Sequence, residues 1–408
     1  MPASTLPLTG IRIADFSWVG AGPFMTKPLA DHGAEVIKVE SRTRTDVIRS
    51  MPPFRHRIAG VDRSGYFANR NSSKKSICLD LRDEFGRELA LRLIAKSDIV
   101  VNNFTPGTMD RLGVGYAAAR AVRGDIIYLE MPMQGNAGPH KGFRGYGLSI
   151  GAVGGLLGLS GYPDRLPVGT GTNYPDHVPN PLHGAIALLA ALRHRRHTGQ
   201  GSYIELAQLE STINAIGPAM VAAANGLPVE RMGNADLEAA PSGVYPCAGT
   251  DAWCTITVTG DAQWAKCASV LDAADLAEAG SGFESVGLRR RNRAELDNEI
   301  STRTARFQSF ELAEALCEAG IPAAAVANSE DLMCRDPQLR ARGHFVSLDH
   351  PVMGPSIYNN IPYRLGRTPG RLRSAAPMLG AHSREVCTAL LGVSTAEYEH
   401  AHAEGVLG

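Results

Sequence analysis

Apolar and polar positions in the first half of the chain form blocks that switch between strand and helix periodicity. Short apolar runs of strand type occupy residues 11–14, 34–40, 74–81, 98–104 and 123–131. The intervening segment 84–97 carries apolar residues at helical spacing. Strands that alternate with helices are typical of a parallel sheet covered by helices on both faces. The pattern therefore predicts an α/β protein with a Rossmann-like parallel sheet.

The segment 180–199 predicts the longest helix of the chain. Asn180 and Pro181 suit the N-cap and the first helical position, the middle is apolar, and Gly199 follows a basic last turn as a stop signal. A strand is expected next at 202–207. An apolar helix over 209–226, ending at a glycine, follows it.

A change in composition near residue 227 predicts a second domain. The chain is irregular to about 245, then shows a strand pattern at 251–258, three short helical patterns and a further strand at 321–328. The tail is rich in Pro and Gly, with one late helix near 382–391. We expect a large domain over 1–205 completed by 335–408, a linker over 206–229 and a small α/β domain over 230–330.

Composition narrows the choice of ligands and partners. The 408 residues contain 41 Lys plus Arg and 41 Asp plus Glu, so long-range attraction to nucleic acid or to an anionic membrane is not expected. No signal peptide and no long apolar span are evident. The seven cysteines are dispersed without a C-x-x-C pair, and the histidines lack metal-ligand spacing. We expect a cytoplasmic protein with no metal, no nucleic-acid partner and no membrane partner.

The stretch "DFSWVGAGPF" (15–24) raises the first question of chemistry. Strand, glycine turn, helix, second strand and Glu40 outline a dinucleotide-binding unit. The fingerprint G-x-G-x-x-G is incomplete, because Met25 stands at the third glycine position after Gly20 and Gly22. A helix N-terminus can still attract another phosphate-bearing ligand. NAD binding by an oxidoreductase and an ordinary tight turn are the alternatives at this point.

Several longer stretches carry a family resemblance. They are "DFSWVGAGPFMTKPLADHGAEVIKVES", "NRNSSKKSICLDL", "NNFTPGTMDRLGVGY", "DHVPNPLHGAIALLAALRHRRHTGQG" and, in the tail, "RDPQLRARGHFVSLDHPVMGP" and "APMLGAHS". In order and spacing they resemble the family III CoA-transferases, a group that includes formyl-CoA transferase and, as a divergent relative, α-methylacyl-CoA racemase. The resemblance runs from about residue 7 to the end and is weakest between 260 and 320. It implies coenzyme A chemistry without NAD.

The same resemblance implies the reaction and the assembly. CoA would move from an acyl-CoA donor to a free carboxylic acid, and two chains would form an interlinked dimer. We expect a homodimer, with a heteromer of related subunits as the alternative. The resemblance further places a nucleophilic aspartate at Asp176, which would form a mixed anhydride with the acyl group. Such covalent catalysis divides one difficult transfer into easier steps. Without the resemblance, a helix cap would be the simpler role for this aspartate.

The resemblance also indicates residues that would bind CoA. They are Val19, Ala21, Arg42, Leu79, Asn103, Arg111 and Arg144. Lys38 is an alternative to Arg42, and Lys75 is a weaker candidate. Arginine suits phosphate because its planar fork donates two hydrogen bonds at once. For any single one of these cations, a solvated surface charge is the competing interpretation.

The sequence departs from the formyl-CoA transferases in ways that bear on the substrate. Gly20 replaces their first-turn glutamine, which suggests room for a larger acceptor acid. The stretch "RSGYFANRNSSKKS" is more similar to succinyl-CoA-dependent members that act on benzylsuccinate or related dicarboxylates. Tyr146 stands where the racemase has its catalytic histidine, and His177 lies off that pattern. A CoA-transferase is therefore expected, with a racemase or a non-catalytic CoA-binding subunit as alternatives.

Overall fold

The computed structural model describes residues 6–407, and it divides into two compact units. The larger unit contains the described chain up to Leu157, then Gly169–Pro228 and the chain from Leu339 onward. The smaller unit contains Gly158–Val168 and Val229–Gln338.

Within residues 6–407 the strands and helices have the following bounds. The strands are β1 (Arg12–Asp15), β2 (Glu35–Glu40), β3 (Lys75–Cys78), β4 (Ile99–Asn102), β5 (Ile127–Glu130), β6 (Ser202–Glu205), β7 (Ser242–Pro246), β8 (Trp253–Thr257), β9 (Ala323–Ala325), β10 (Phe345–His350) and β11 (Gly354–Asn359). The helices are α1 (Ala21–Asp31), α2 (Gly65–Arg70), α3 (Glu84–Ala95), α4 (Thr108–Arg111), α5 (Tyr116–Val122), α6 (Gly147–Val153), α7 (Tyr174–His177), α8 (Pro179–Thr198), α9 (Gln208–Ile213), α10 (Gly217–Ala224), α11 (Asp261–Val270), α12 (Val286–Arg291), α13 (Arg293–Thr304), α14 (Ser309–Glu318), α15 (Pro337–Arg342), α16 (Ser383–Glu385) and α17 (Thr395–Ala403).

The larger unit is built on a six-stranded parallel sheet in the order β3-β2-β1-β4-β5-β6, which confirms the predicted fold class. A parallel sheet must be covered on both faces because helical crossovers join its strands. One face packs Ile77, Leu89 and Tyr128 into a core, and the other packs Met25 and Leu188. The strand order reverses between β1 and β4, and ligands of α/β sheets bind outside the carboxyl ends of the strands at such a point.

The helix predicted over 180–199 begins earlier than expected. It starts at Pro179, and Asn180 does not cap it, because the amide of Asn180 is buried and donates to Gln208 Oε1 at 3.1 Å. Gly199 ends it in a left-handed conformation with φ of +73°, which confirms the predicted stop.

The helix predicted over 209–226 is divided in two. A short 3₁₀ turn at Asn214–Ile216 separates α9 from α10, where Pro218 removes a backbone donor. Part of the predicted linker is thus helical. The first of these helices packs on α8 through a 2.7 Å hydrogen bond between His183 and Ser211.

The tail holds more regular structure than the pattern indicated. The antiparallel hairpin of β10 and β11 and the helix α17 were not predicted. The helix near 382–391 is present as α16 and a π-helical segment, Val386–Leu390. Its residues Val386 and Cys387 join the core on the β3 side of the sheet.

The smaller unit has its own core. Its sheet is antiparallel in the order β7-β8-β9, and the helices α11, α13 and α14 pack against it around the buried Trp264. None of the helices within residues 6–407 combines the length and apolar character that a membrane span needs.

Candidate active site

A cavity of about 860 Å³ opens at the point where the strand order reverses. Its wall contains the turn after β1, the ends of β2 and β3, the loop after β4 and the start of α6. This volume lies within the range usual for small-molecule sites. Asp176 is one of three acidic residues in the wall, with Glu40 and Asp80.

The turn after β1 is held from two sides in a strained conformation. Val19 has φ of +65°, which a β-branched residue rarely adopts. Its N–H donates to Asp46 Oδ1 at 2.9 Å. The amide of Asn103 accepts from the Trp18 N–H at 2.9 Å and donates to the Trp18 carbonyl at 2.8 Å. The strain therefore persists because side chains from two other segments fix the turn.

Asp176 packs directly against this turn. A Cβ added at Gly20 would lie 2.6 Å from the Asp176 Cβ, a distance that real atoms do not reach. The space that Gly20 leaves is thus filled by the aspartate, and it does not receive a larger acceptor acid as the sequence suggested. The N–H of Gly147, at the start of α6, donates to Asp176 Oδ2 at 2.9 Å.

The side chain of Asp176 is buried and has few hydrogen-bond partners. The residue is only 3% exposed, and among residues 6–407 its side chain accepts one hydrogen bond, at Oδ2, so that Oδ1 has no protein partner. Burial raises the pKa of Asp176 to about 6, against the smaller opposing effect of the Gly147 N–H. The group is therefore mainly ionised at neutral pH but poorly stabilised, as a nucleophilic carboxylate should be.

His177 is fixed beside the aspartate as a neutral imidazole. Its ring nitrogens lie 3.1 Å from Tyr66 Oη and 2.9 Å from Thr172 Oγ1. Burial, together with the nearby Arg70 cation, lowers the pKa of His177 to about 4. The sequence left the role of this histidine open, and the structure places it outside the cavity wall.

Six of the seven residues expected to bind CoA line the cavity, and they are Val19, Ala21, Leu79, Asn103, Arg111 and Arg144. Arg42 does not line it, and neither do Lys38 and Lys75. Lys38 is fully buried and pairs with Asp46 at 2.9 Å, while Lys75 pairs with Glu35 and Glu385.

Two arginines of the cavity wall are not among the residues that the sequence predicted to bind CoA. Arg44 and Arg82 lie in the wall, beside the predicted Arg111 and Arg144. Arg82 pairs with Asp80 at 2.6 Å. Within residues 6–407 no carboxylate lies within ion-pair distance of Arg44, Arg111 or Arg144, so these three guanidinium groups can meet phosphate oxygens. In the sequence, the only indication that Arg44 could bind a phosphate was the run of alternating Arg and Thr at 42–45.

Glu40 has no free carboxylate for a ribose. Its two oxygens accept from Arg49 Nε and NH2, each at 2.8 Å, and both residues are buried. Glu40, which a dinucleotide-binding unit would use to bind a ribose, therefore pairs with a buried arginine of the protein instead. Among the described residues, no group of three or more His, Cys, Asp or Glu side chains could hold a metal ion.

Comparison with known proteins places this site in a family. The model of the family described as CoA-transferase family III matches residues 8–383. Succinyl-CoA–D-citramalate CoA-transferase of Chloroflexus aurantiacus is 33% identical over 391 residues, which are 95% of each chain. The succinyl-CoA–L-malate CoA-transferase alpha subunit of the same organism is 31% identical and is matched over 98% of this chain and 93% of its own.

A solved structure agrees with the family model and with the two relatives. The crystal structure of a CaiB/BaiF family protein from Brucella suis superposes with a TM-score of 0.86 at 31% identity, covering 95% of this chain and all of the other. The chain therefore belongs to CoA-transferase family III and is a CoA-transferase with an acyl-CoA as substrate.

Proposed function

We propose that CoA transfer proceeds through a mixed anhydride on Asp176. A carboxylate oxygen would attack the thioester carbonyl, the C–S bond would break, and CoA would leave as thiolate. The acceptor carboxylate would then attack the aspartyl carbonyl and release the donor acid. Attack of the thiolate on the new acyl carbonyl would form the product and restore Asp176. Each step forms one bond and breaks one, with no oxidant or reductant.

The observation that carries this proposal is the placement of Asp176. It is the buried, incompletely hydrogen-bonded carboxylate of the cavity wall, whereas Glu40 and Asp80 are both paired with arginines. A hydrogen bond from Gly147 fixes one oxygen and leaves the other for attack. The nucleophile is thereby positioned before the substrate binds.

We further propose succinyl-CoA as the donor. The two Chloroflexus aurantiacus relatives are named for succinyl-CoA and a second dicarboxylic acid, D-citramalate or L-malate. The cavity arginines would bind the phosphates of CoA, with Leu79 and Val19 as its apolar contacts.

Racemisation on this fold is not favoured. Racemisation would need a second acid–base group beside Asp176. In the cavity wall, Tyr146 stands at the position that matches the catalytic histidine of the racemase. His177 is bound at both ring nitrogens, and its low pKa keeps it neutral. A silent CoA-binding role does not explain why a carboxylate with a raised pKa is kept in the wall.

We propose that the working assembly is a dimer. The helix α8 is apolar on more than its core side, with Leu182 and Ile186 exposed by 58% and 65%. A helix that is apolar all round is usually buried. Sedimentation should give about twice the 43.4 kDa of one chain, and Ile186→Arg should lower that mass. Some relatives are named as subunits, so a related second chain is the other outcome.

Trapping of the anhydride tests the reaction directly. The protein is incubated with succinyl-CoA, quenched with hydroxylamine and digested for mass spectrometry. We expect a hydroxamate on Asp176 in the wild type and in Asp80→Asn, which alters another acid of the cavity wall. Asp176→Asn should show none. Release of CoA without any hydroxamate on Asp176 would refute the covalent intermediate.

A further inference from the structure

Four side chains form a cluster next to Asp176, and we call it the Arg70 cluster: Phe24, Tyr66, Arg70 and His177. The Arg70 guanidinium lies over the Phe24 ring at 4.4 Å and near the Tyr66 ring at 5.6 Å. Tyr66 Oη lies 3.1 Å from His177 Nε2, and the rings of Phe24 and His177 meet edge to face at 5.9 Å. A guanidinium stacked on a ring keeps its N–H groups directed along its own plane.

Arg70 is half-buried, and its surroundings differ from those of the fully buried cations. Among the described residues, Lys27, Lys38, Arg49, Lys74 and Arg289 are each buried with a carboxylate within ion-pair distance. Among residues 6–407 no carboxylate lies that close to Arg70. Within the same residues its guanidinium donates one hydrogen bond, to Asn69 Oδ1 at 3.0 Å, and its Nε is withdrawn from water without a partner. A half-buried guanidinium without a counter-ion has lost part of its hydration, which an anionic ligand can replace.

The Arg70 cluster adjoins the nucleophile. His177 follows Asp176 in the chain, and the Phe24 N–H donates to the carbonyl of Gly20, the residue against which Asp176 packs. None of the four side chains lines the cavity assigned to CoA. Each of them is nevertheless partly exposed, so a ligand can reach the cluster.

Arg70 does not neutralise Asp176, because the two side chains form no ion pair. The nucleophile thus keeps its reactivity while a cationic group remains available close by. An acyl group attached to Asp176 has one end at the aspartyl oxygen and the other end free. A negative charge at that free end would complete the pairing that Arg70 lacks.

We propose that the Arg70 cluster binds the distal carboxylate of a dicarboxylic acyl group, with Arg70 as its charge partner and Tyr66 as an additional hydroxyl donor. This inference rests on the proposed reaction at Asp176, since it concerns the acid that is carried there. It assigns four-carbon or similar dicarboxylic acids as substrates in preference to monocarboxylic acids of equal length. A distal methyl group would leave the guanidinium unpaired, so the site would reject it.

The test compares succinyl-CoA with butyryl-CoA, in which a methyl group replaces the distal carboxylate. Release of CoA thiol in a single turnover gives the acylation rate, and hydroxylamine trapping locates the acyl group. We expect the wild type to prefer succinyl-CoA by about 10- to 100-fold, the range of a charge-assisted contact. Arg70→Gln should bring the ratio of the two rates close to one, and Tyr66→Phe should lower it by less.

Controls separate loss of the contact from loss of the fold. Arg70→Lys keeps the charge without the planar fork and should retain part of the preference. Arg63→Gln alters another partly exposed arginine of the same segment that has no carboxylate partner, and it should keep the wild-type ratio. A urea unfolding curve for each variant shows whether it is folded under the assay conditions.

The outcomes are distinguishable. If neither acyl-CoA labels Asp176 in the wild type, the proposed reaction fails, and the subsite fails with it. If both label Asp176 at similar rates, the reaction stands and the subsite is refuted. The subsite is also refuted if Arg70→Gln and Arg70→Lys, both folded, keep the wild-type preference for succinyl-CoA.

Discussion

Two groups of buried or half-buried charges lie close to the turn after β1, and they differ in how their charges are paired. Beneath the turn, the paired network consists of Asp15, Lys38, Glu40, Asp46, Arg49 and Lys74. Beside the turn, the open pair consists of Asp176 and Arg70, which contact neither each other nor any other counter-ion among the described residues. Asp176 is buried and Arg70 is half-buried, yet only the paired network is compensated within the protein.

The pKa directions show the same contrast. Burial alone would raise the pKa of Asp15 and Glu40, but the neighbouring cations and hydrogen bonds outweigh it, and both values are lowered. At Asp176, by contrast, burial dominates because only one backbone N–H opposes it, and the pKa of Asp176 rises. The charges of the paired network are compensated within the protein, while the two charges of the open pair have no counter-ion among residues 6–407.

The paired network also serves the site. Asp46 binds Lys38 with one oxygen and the Val19 N–H with the other, so the network anchors the strained residue of the cavity wall. The Asp46 carboxylate therefore both pairs with a buried cation and fixes the turn. Under the proposed reaction, the open pair would serve function at a cost in stability.

The largest expected effect comes from Asp176→Asn. We expect a loss of transfer activity of roughly 1,000-fold or more, because the amide cannot form an anhydride. The folded pKa of about 6 lies above the unfolded value, so the carboxylate form is disfavoured by folding. At pH 8 the variant should therefore be more stable than the wild type by up to about 3 kcal/mol.

Urea unfolding at two pH values checks the sign of that prediction. The penalty on Asp176 is complete above pH 6 and vanishes as the pH falls below about 4, where both states are protonated. The stability gain should thus be clear at pH 8 and much smaller near pH 4.5. A variant that is less stable than the wild type at pH 8 would contradict the contrast between the two groups.

Breaking the paired network should give the opposite result. Arg49→Met leaves Glu40 buried without its bidentate partner, and we expect the free energy of unfolding to fall by about 3–5 kcal/mol. Arg92→Met is the matched control, because its pair with Glu88 is exposed and should contribute less than about 1 kcal/mol. Denaturant titration of both variants measures the difference in the free energy of unfolding. Equal losses in the two variants would contradict the larger contribution expected of the buried pair.

Gly20→Ala tests how tightly the turn and the nucleophile fit. The new Cβ would displace Asp176, so we expect the acylation rate to fall by roughly 10- to 100-fold. Gly217→Ala is the control, since nothing lies within 4 Å of the position of its added Cβ. Single-turnover release of CoA thiol should separate the two variants, and a fully active Gly20→Ala would show that Asp176 need not occupy this place.

The smallest expected effect is a pH dependence. Acylation should rise with pH through a single inflection near 6, as Asp176 loses its proton. The rate at pH 5 should be about one tenth of the rate at pH 7.5. His177, with a pKa of about 4, should add no inflection between pH 5 and 8. The Asp176 interpretation would be wrong if the rate were constant over that range.

Local patterns were sufficient for much of the fold. The strand and helix alternation up to residue 131 matches β1 to β5, because buried strands and amphipathic helices leave periodic signatures. The glycine stop at Gly199 was also visible, since it depends on one residue's own backbone freedom. The hairpin of β10 and β11 was missed because its Pro and Gly content resembles that of a loop.

The site was predicted less completely than the fold. The resemblance indicated Asp176 and six further residues of the cavity wall, but it gave no reason to single out Arg44, Arg82 or Arg70. A lone arginine in a sequence is more often a solvated surface charge, and only its surroundings can decide otherwise. Lys38 illustrates the reverse error, because a candidate phosphate ligand proved to be fully buried and paired.

The sequence by itself determined the periodicity of the sheet and its helices, the glycines of the first turn and the segment that carries the aspartate. These features depend on each residue and its near neighbours along the chain. Only the tertiary structure decided that Asp176 would pack against Gly20, that Asp46 would hold Val19, and that Arg70 would lack a carboxylate. Those outcomes depend on which segments, distant in the sequence, come into contact in the fold. Whether a buried charge finds a counter-ion is decided by those contacts.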